Sequence, residues 1–276
     1  MKEFDVAGLH CYDTGETGRL PLIYHHGTPN IGSPPAPLFA DGDRLGLRWI
    51  GYDRPGYGGS APAPGRDVAS GATYTARIAD ELGLDRFAVL GHSGGGPHAL
   101  ACAALLPERV TAAVSISGLA PFGAAGLDWF AGMASPASLR AATAGRAVKE
   151  AYEAAPTETD PGFIAADWAA LDGAWGWFGQ VVGPAMAGGP AAAVDDDLAY
   201  VTPWGFDPAR ITVPALLVHG GLDTCVPSSH STWLAAHLPG SELRISPAQG
   251  HISILTTAAV PALEWIVART ADYYGA

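Results

Sequence analysis

The sequence predicts an α/β fold: a mostly parallel, doubly wound sheet with a helical cap inserted into it. Three observations predict it. Short runs of β-branched and aliphatic residues alternate with Ala/Leu-rich stretches at helical spacing, glycine-rich turns follow several of those runs, and one long strandless stretch interrupts the alternation.

The first segment, residues 4–12, reads as antiparallel edge strands, because nothing helical separates it from the apolar run at 20–25. Runs at 47–52, 87–90, 110–117, 215–219 and 243–246 are the further strands. They are short and rich in β-branched and aliphatic residues, and read as buried strands of a sheet covered on both faces. The crossover helices fall at 73–82, 96–106, 229–238 and 258–269. Between about residues 119 and 208 no strand is found, far beyond an ordinary connection. That stretch holds five of the eight tryptophans, Trp129, Trp168, Trp175, Trp177 and Trp204, with Phe130, Phe163 and Phe178. Large rings need burial, so it reads as a folded helical cap, leaving residues 1–118 and 209–276 as the core domain. The triplet Asp195-Asp196-Asp197 reads as a solvated turn.

Composition narrows the functional classes. The chain has 276 residues, 48% hydrophobic and 15% charged, enough to fill a core and too apolar for disorder. Asp+Glu number 27 against 15 Lys+Arg, a formal charge of -12. Such a protein repels phosphate backbones and anionic bilayers, which argues against nucleic acid and membrane partners and for a small-molecule substrate. The oligomeric state, monomer or homodimer, stays open. Three scattered cysteines, Cys11, Cys102 and Cys225, form no disulfide framework and no metal-ligand spacing, which suits a reducing compartment. The N-terminus is acidic where a signal peptide is basic, and no run approaches the roughly 20 apolar residues of a membrane span. The expectation is a cytoplasmic protein without metal or cofactor.

Chemistry concentrates at Gly91-His92-Ser93-Gly94-Gly95, where a strand ends and a helix begins. A serine on so tight a turn stands clear of the backbone, and the Gly94 amide behind it lies at a helix N-terminus. A serine of ordinary acidity needs a base and an acid that orients the base. His251 follows the last strand and Asp223 follows the one before, so both fall at the same sheet edge as Ser93. His219 lies inside a strand, His98, His230 and His237 on helices, and Asp85 at the opposite end of its strand. A tetrahedral intermediate also needs a second amide donor. His25-His26-Gly27-Thr28-Pro29 closes the first long strand and leaves the Thr28 amide for that task. Candidate pocket residues are His26, Gly27 and His92 beside these turns, with Trp129, Trp168, Trp175 and Trp177 of the cap.

With those residues placed, the chain resembles the α/β-hydrolase superfamily over essentially its whole length. The elbow, the oxyanion turn His26-Gly27-Thr28-Pro29, Asp223 and His251 occupy the matching places, and Asp53-Arg54-Pro55-Gly56-Tyr57-Gly58-Gly59-Ser60 looks like the family's structural second-loop motif. The resemblance implies acyl transfer by Ser93, His251 and Asp223, with Thr28 and Gly94 holding the oxyanion. Epoxide hydrolases and dehalogenases of the superfamily carry Asp at the elbow, where this chain carries Ser93. Cofactor-free haloperoxidases usually have Met after the serine, where this chain has Gly94. Proline iminopeptidases use acidic cap residues to hold an amine, and residues 119–208 contain eleven Asp/Glu against three Lys/Arg. Their oxyanion turn is richer in glycine than this one. Carboxylic ester hydrolysis is the first expectation and an aminopeptidase or amidase the second. A lactonase, an acyltransferase or cyclase, and a ligand receptor on the same scaffold are the further alternatives.

Overall fold

The structure, a computed structural model, describes residues 1–15, 17–155 and 160–274, with side chains as far as residue 271. Two short strands, β1 (Lys2–Val6) and β2 (Leu9–Asp13), form the antiparallel edge. The parallel strands are β3 (Leu20–His25), β4 (Leu47–Tyr52), β5 (Phe87–His92), β6 (Val110–Ile116), β7 (Ala215–Gly220) and β8 (Glu242–Ser246). They make one eight-stranded sheet in the order β1-β2-β4-β3-β5-β6-β7-β8. The strand order reverses at β3, which pairs with both β4 and β5. Loops after β3 and β5 therefore diverge, and a crevice opens between them at the carboxyl edge.

Side chains alternate along the buried strands and fill two cores. Leu22, Tyr24, Leu90, Val114 and Val218 face α1 (Phe39–Arg44) and α10 (Ile254–Tyr274). Ile23, Val89, Ala113 and Leu217 face α2 (Ser70–Glu81), α3 (Gly95–Leu105) and α9 (Ser229–His237). Several boundaries differ from the sequence expectation by one to five residues, and two of them bear on the site. β5 runs on to His92, because its ladder with β6 continues to Ile116. α10 begins at Ile254 rather than near 258, because Ile254 and Leu255 bury in the first core.

Between β6 and β7 lie α4 (Ala137–Thr143), α5 (Arg146–Ala154), α6 (Ala165–Asp172), α7 (Phe178–Met186) and α8 (Ala191–Tyr200), with a 3-10 turn at Ala174–Trp177. Residues 156–159 of this expected cap lie outside the described residues. One expectation fails here. Asp195-Asp196-Asp197 is no solvated turn: it sits inside α8, with Asp195 and Asp196 buried. Their partners are arginines distant in sequence, which no local pattern reveals. Among the described residues no helix is long and apolar enough to cross a membrane.

Candidate active site

Ser93 sits directly between β5 and α3 with φ +55°. Few residues other than glycine accept that conformation. The turn is pinned from both sides, the Ser93 amide donating to Ile116 O of β6 (2.8 Å) and Gly96 N to Ser93 O (2.9 Å). Its hydroxyl is thereby aimed off the sheet edge.

His251, between β8 and α10, brings Nε2 to 2.9 Å from Ser93 Oγ, and its Nδ1 lies 2.7 Å from Asp223 Oδ2. A carboxylate accepts only, so Nδ1 carries the proton and Nε2 presents a lone pair to the Ser93 hydroxyl. Asp223 Oδ1 accepts from the amides of Cys225 and Val226, each at 2.9 Å. Burial alone would lower the His251 pKa, but the Asp223 charge and hydrogen bond overcome it and raise the pKa above 6.5. Burial would likewise raise Asp223; the His251 charge and the His219 hydrogen bond instead hold it well below the usual carboxylate range. His219 itself is a core residue, bonded to Ser231 Oγ and Val226 O (2.7 Å each) and 3.4 Å from Asp223 Oδ2.

The turn carrying His251 is held from the insertion. Asp167 of α6 is fully buried and accepts from Ile252 N (2.9 Å), Ser253 N (2.7 Å) and His251 N (3.3 Å), all just ahead of α10. It also accepts from Ile164 N at 3.0 Å, closing the start of its own helix. A Cβ on Gly250 would lie within 2.8 Å of the Asp167 carboxyl carbon, so that position requires glycine.

On the opposite side of Ser93, neither the Thr28 nor the Gly94 amide donates to an acceptor among the described residues. The Thr28 side chain enters a buried network. Its Oγ1 donates to Asp196 Oδ2 (2.6 Å) and accepts from Arg54 (3.0 Å). Asp196 also binds Arg54 Nε (3.0 Å), Arg66 (2.9 Å) and Tyr57 OH (3.0 Å). Burial would raise the Asp196 pKa, but Arg54 and then Arg66 pull it far below the usual range. Arg54 reaches on to the carbonyls of His26 and Gly27 (the latter at 3.1 Å), which fixes the path of the turn.

The open space around Ser93 has two lobes. One, about 340 Å³, is lined by Phe163, Leu171, Phe178, Val182 and Ile252, with Gly27 and His92 at its Ser93 end. The other, about 280 Å³, is lined by Thr28, Asp197, Tyr200, Cys225 and Leu139. Thr28, Ser93, Phe163 and His251 belong to both. Asp197 Oδ2 is engaged by Lys149 Nζ (2.6 Å) and Ser138 Oγ (3.0 Å).

Several expected pocket residues are elsewhere. His26 is buried behind its turn, where its Nε2 accepts from Arg54 N (3.0 Å) and its Nδ1–H donates to Gly27 O (2.7 Å). Trp129 donates to Ala120 O (2.8 Å) in a separate apolar cluster. Trp175 and Trp177 point into the sheet-face core, and Trp168 is 51% exposed. Trp168 faces outward because its neighbour Asp167 faces inward, and successive helical residues diverge by about 100°. His92 does line the apolar lobe, donating to His251 O (3.1 Å) with its ring 5.1 Å from that of His251. Burial and the nearby His251 lower its pKa to about 3, so it stays neutral. Asp223, Cys225 and His251 hold ligand-type atoms within 4.8 Å of one another. Burial and the Asp223 charge push the Cys225 thiol pKa far up, however, and the thiol donates to Pro161 O (2.6 Å).

Residues 21–258 match the family described as an alpha/beta hydrolase fold. A non-heme chloroperoxidase of Streptomyces lividans is 33% identical over 124 residues, covering 42% of this chain and 43% of that protein. A 2-hydroxy-6-oxononadienedioate/2-hydroxy-6-oxononatrienedioate hydrolase of Cupriavidus pinatubonensis is 34% identical over 119 residues, 40% of this chain and 39% of its own. The chain thus aligns with about two fifths of each curated relative's length. The enol-lactonase of Burkholderia xenovorans superposes with a TM-score of 0.71 at 20% identity, covering 97% of this chain and 99% of that one.

Proposed function

The chain belongs to the α/β-hydrolase family, and we propose that it is a serine hydrolase that cleaves a carboxylic ester or related acyl bond of a mainly apolar small molecule. The observation that carries this reading is the continuous chain from Ser93 Oγ through His251 to Asp223, at 2.9 and 2.7 Å. In the proposed reaction Nε2 takes the Ser93 proton as Oγ attacks the carbonyl carbon. The amides of Thr28 and Gly94 receive the oxyanion. The intermediate collapses to an acyl-enzyme, and the alcohol leaves with the proton returned by His251. Water, deprotonated by the same nitrogen, then releases the acid and restores Ser93.

The lobe of Phe163, Leu171, Phe178 and Val182 suits an apolar acyl group. Residues 119–208 act as the cap that shapes it. Neither lobe is lined by Lys or Arg among the described residues, which argues against a dicarboxylate like that in the name of the Cupriavidus relative. Asp197 lines the polar lobe but is already paired with Lys149 Nζ, so the second reading, an amidase or aminopeptidase whose substrate carries a protonated amine, requires that amine to share or displace the lysine. The three unpaired cysteines suit a cytoplasmic setting.

A fluorophosphonate should label Ser93 and nothing else, and Ser93→Ala should lose at least ~10³-fold in kcat with the fold retained. Near-normal turnover by that variant would sink the assignment. Asp223→Asn should lose about 10⁴-fold in kcat. Asp223 raises the His251 pKa, so the acid limb of kcat/KM moves to lower pH in Asp223→Asn. Ester and proline arylamide panels separate the two substrate readings; the second requires that acetylating the amine abolishes turnover.

A further inference from the structure

Tyr200, the last residue of α8, meets both residues whose amides face the attacked carbonyl in the proposed reaction. Its hydroxyl lies 2.8 Å from Thr28 Oγ1 and 3.0 Å from Gly94 O. Proton accounting fixes the directions. A threonine hydroxyl has one proton and two lone pairs. The Thr28 proton goes to Asp196 Oδ2, and one lone pair takes Arg54. The remaining lone pair faces Tyr200, so the tyrosine proton is shared between Thr28 Oγ1 and Gly94 O. Burial, and then the Asp196 charge, hold Tyr200 in its protonated form.

The residue after Ser93 is fitted to this bridge. A Cβ at Gly94 would collide with the Tyr200 hydroxyl and come within 2.7 Å of Thr28 Oγ1. Space that a side chain at position 94 would fill is thus taken by a hydroxyl from the insertion. The bridge joins two turns that are not sequence neighbours, one after β3 and one after β5.

We propose that Tyr200 is a positioning residue that sets the spacing of the Thr28 and Gly94 amides, so that the insertion tunes oxyanion stabilisation without touching the oxyanion. The proposal rests on the serine-hydrolase reading above. Its distinctive consequence is selectivity for the tetrahedral state. The ground-state carbonyl tolerates loosely spaced donors, whereas the oxyanion rewards two donors held at fixed distance.

The test compares wild type with Tyr200→Phe, which keeps the ring and deletes the bridge. A p-nitrophenyl ester and an aryl trifluoromethyl ketone, which forms a tetrahedral adduct on serine, are the probes. Expected are a fall in kcat of about 10- to 100-fold, KM within about 2-fold, and ketone affinity weakened by the same factor as kcat/KM. The acid limb of kcat/KM, which reports His251, stays in place. Thr28→Val breaks the bridge from its other end, and adding it to Tyr200→Phe should cost less than the two single losses multiplied together. It also serves should Tyr200→Phe fail to fold. Wild-type kcat and ketone affinity in Tyr200→Phe would overturn the proposal, as would a loss confined to KM. Fluorophosphonate labelling separates the two layers of inference. An unlabelled Ser93 in the wild type removes the serine-hydrolase reading and the bridge with it, whereas labelling with an indifferent Tyr200→Phe removes only the bridge.

Discussion

Asp167 and Asp196 are both fully buried carboxylates on helices of the insertion, and both reach a turn that carries a site residue. They are held by opposite chemistry. Asp167 meets backbone amides only, three of them in the turn of His251. Asp196 meets two guanidinium groups and two hydroxyls beside the turn of Thr28. A carboxylate among amides fixes the path of a chain, and the partial positive charge ahead of a helix suits it. A carboxylate among guanidinium groups neutralises charges that could not otherwise be buried. One therefore acts chiefly through geometry and the other chiefly through charge.

The largest effect should follow from the charge. Asp196→Ala leaves Arg54 and Arg66 buried without a counter-ion, and breaking such a network costs about 3–5 kcal/mol. Chemical denaturation measures it, and a loss below about 1 kcal/mol would contradict the comparison. Its pH dependence has a defined sign. The folded pKa of Asp196 lies far below the unfolded value of about 4, so its contribution is full above that pH and fades as pH falls below it. The stability difference between wild type and Asp196→Asn should be flat from about pH 8 to 5 and shrink only below about 4.

Asp167→Ala should cost less, about 1–3 kcal/mol, because it strands amides rather than ions. Its signature is functional. The His251 turn loses its anchor, so kcat should fall by about 10-fold or more while KM for an ester changes little. Asp167 also helps raise the His251 pKa, so the acid limb should shift to lower pH. An Asp167→Ala enzyme with unchanged kcat and pH profile would show that the turn holds itself.

Why these two carboxylates escape a reading of the sequence while Ser93 does not is a matter of distance along the chain. Ser93 lies on a local pattern, with strand, glycine-flanked turn and helix adjacent, and the structure has those elements there. Asp223 and His251 follow from position, since each comes shortly after the end of a strand at the carboxyl edge. The sheet and its crossovers were legible for the same reason, each element announcing itself by its own periodicity. Asp196 is 142 residues from Arg54, and Asp167 is 84 residues from the amide of His251. No pattern of hydropathy encodes those pairings, and three consecutive aspartates read naturally as solvated. Composition located the aromatic residues in the insertion but not their direction. Trp175 and Trp177 went to the sheet face, whereas Phe163 and Phe178, packed on the same core, also line the cavity.

The smallest effect sharpens the comparison at α6, where Asp167 and Trp168 are neighbours that face opposite ways. If α6 is tied to the core by the Asp167 carboxylate, the indole beside it is dispensable. Trp168 is 51% exposed and packs edge-on against Phe163 at 5.3 Å. Trp168→Ala removes that one ring contact and little buried area, so it should cost about 0.5–1 kcal/mol. Trp177→Ala, which empties a core site, should cost about 3–5 kcal/mol. The informative measurement is the ratio within α6, with thermal or urea unfolding of Trp168→Ala set against Asp167→Ala. Equal losses would mean that packing around Phe163 holds the helix and that the amide-bound carboxylate is incidental. A loss several-fold larger for Asp167→Ala would place the attachment of the insertion in three backbone hydrogen bonds from the His251 turn to one side chain.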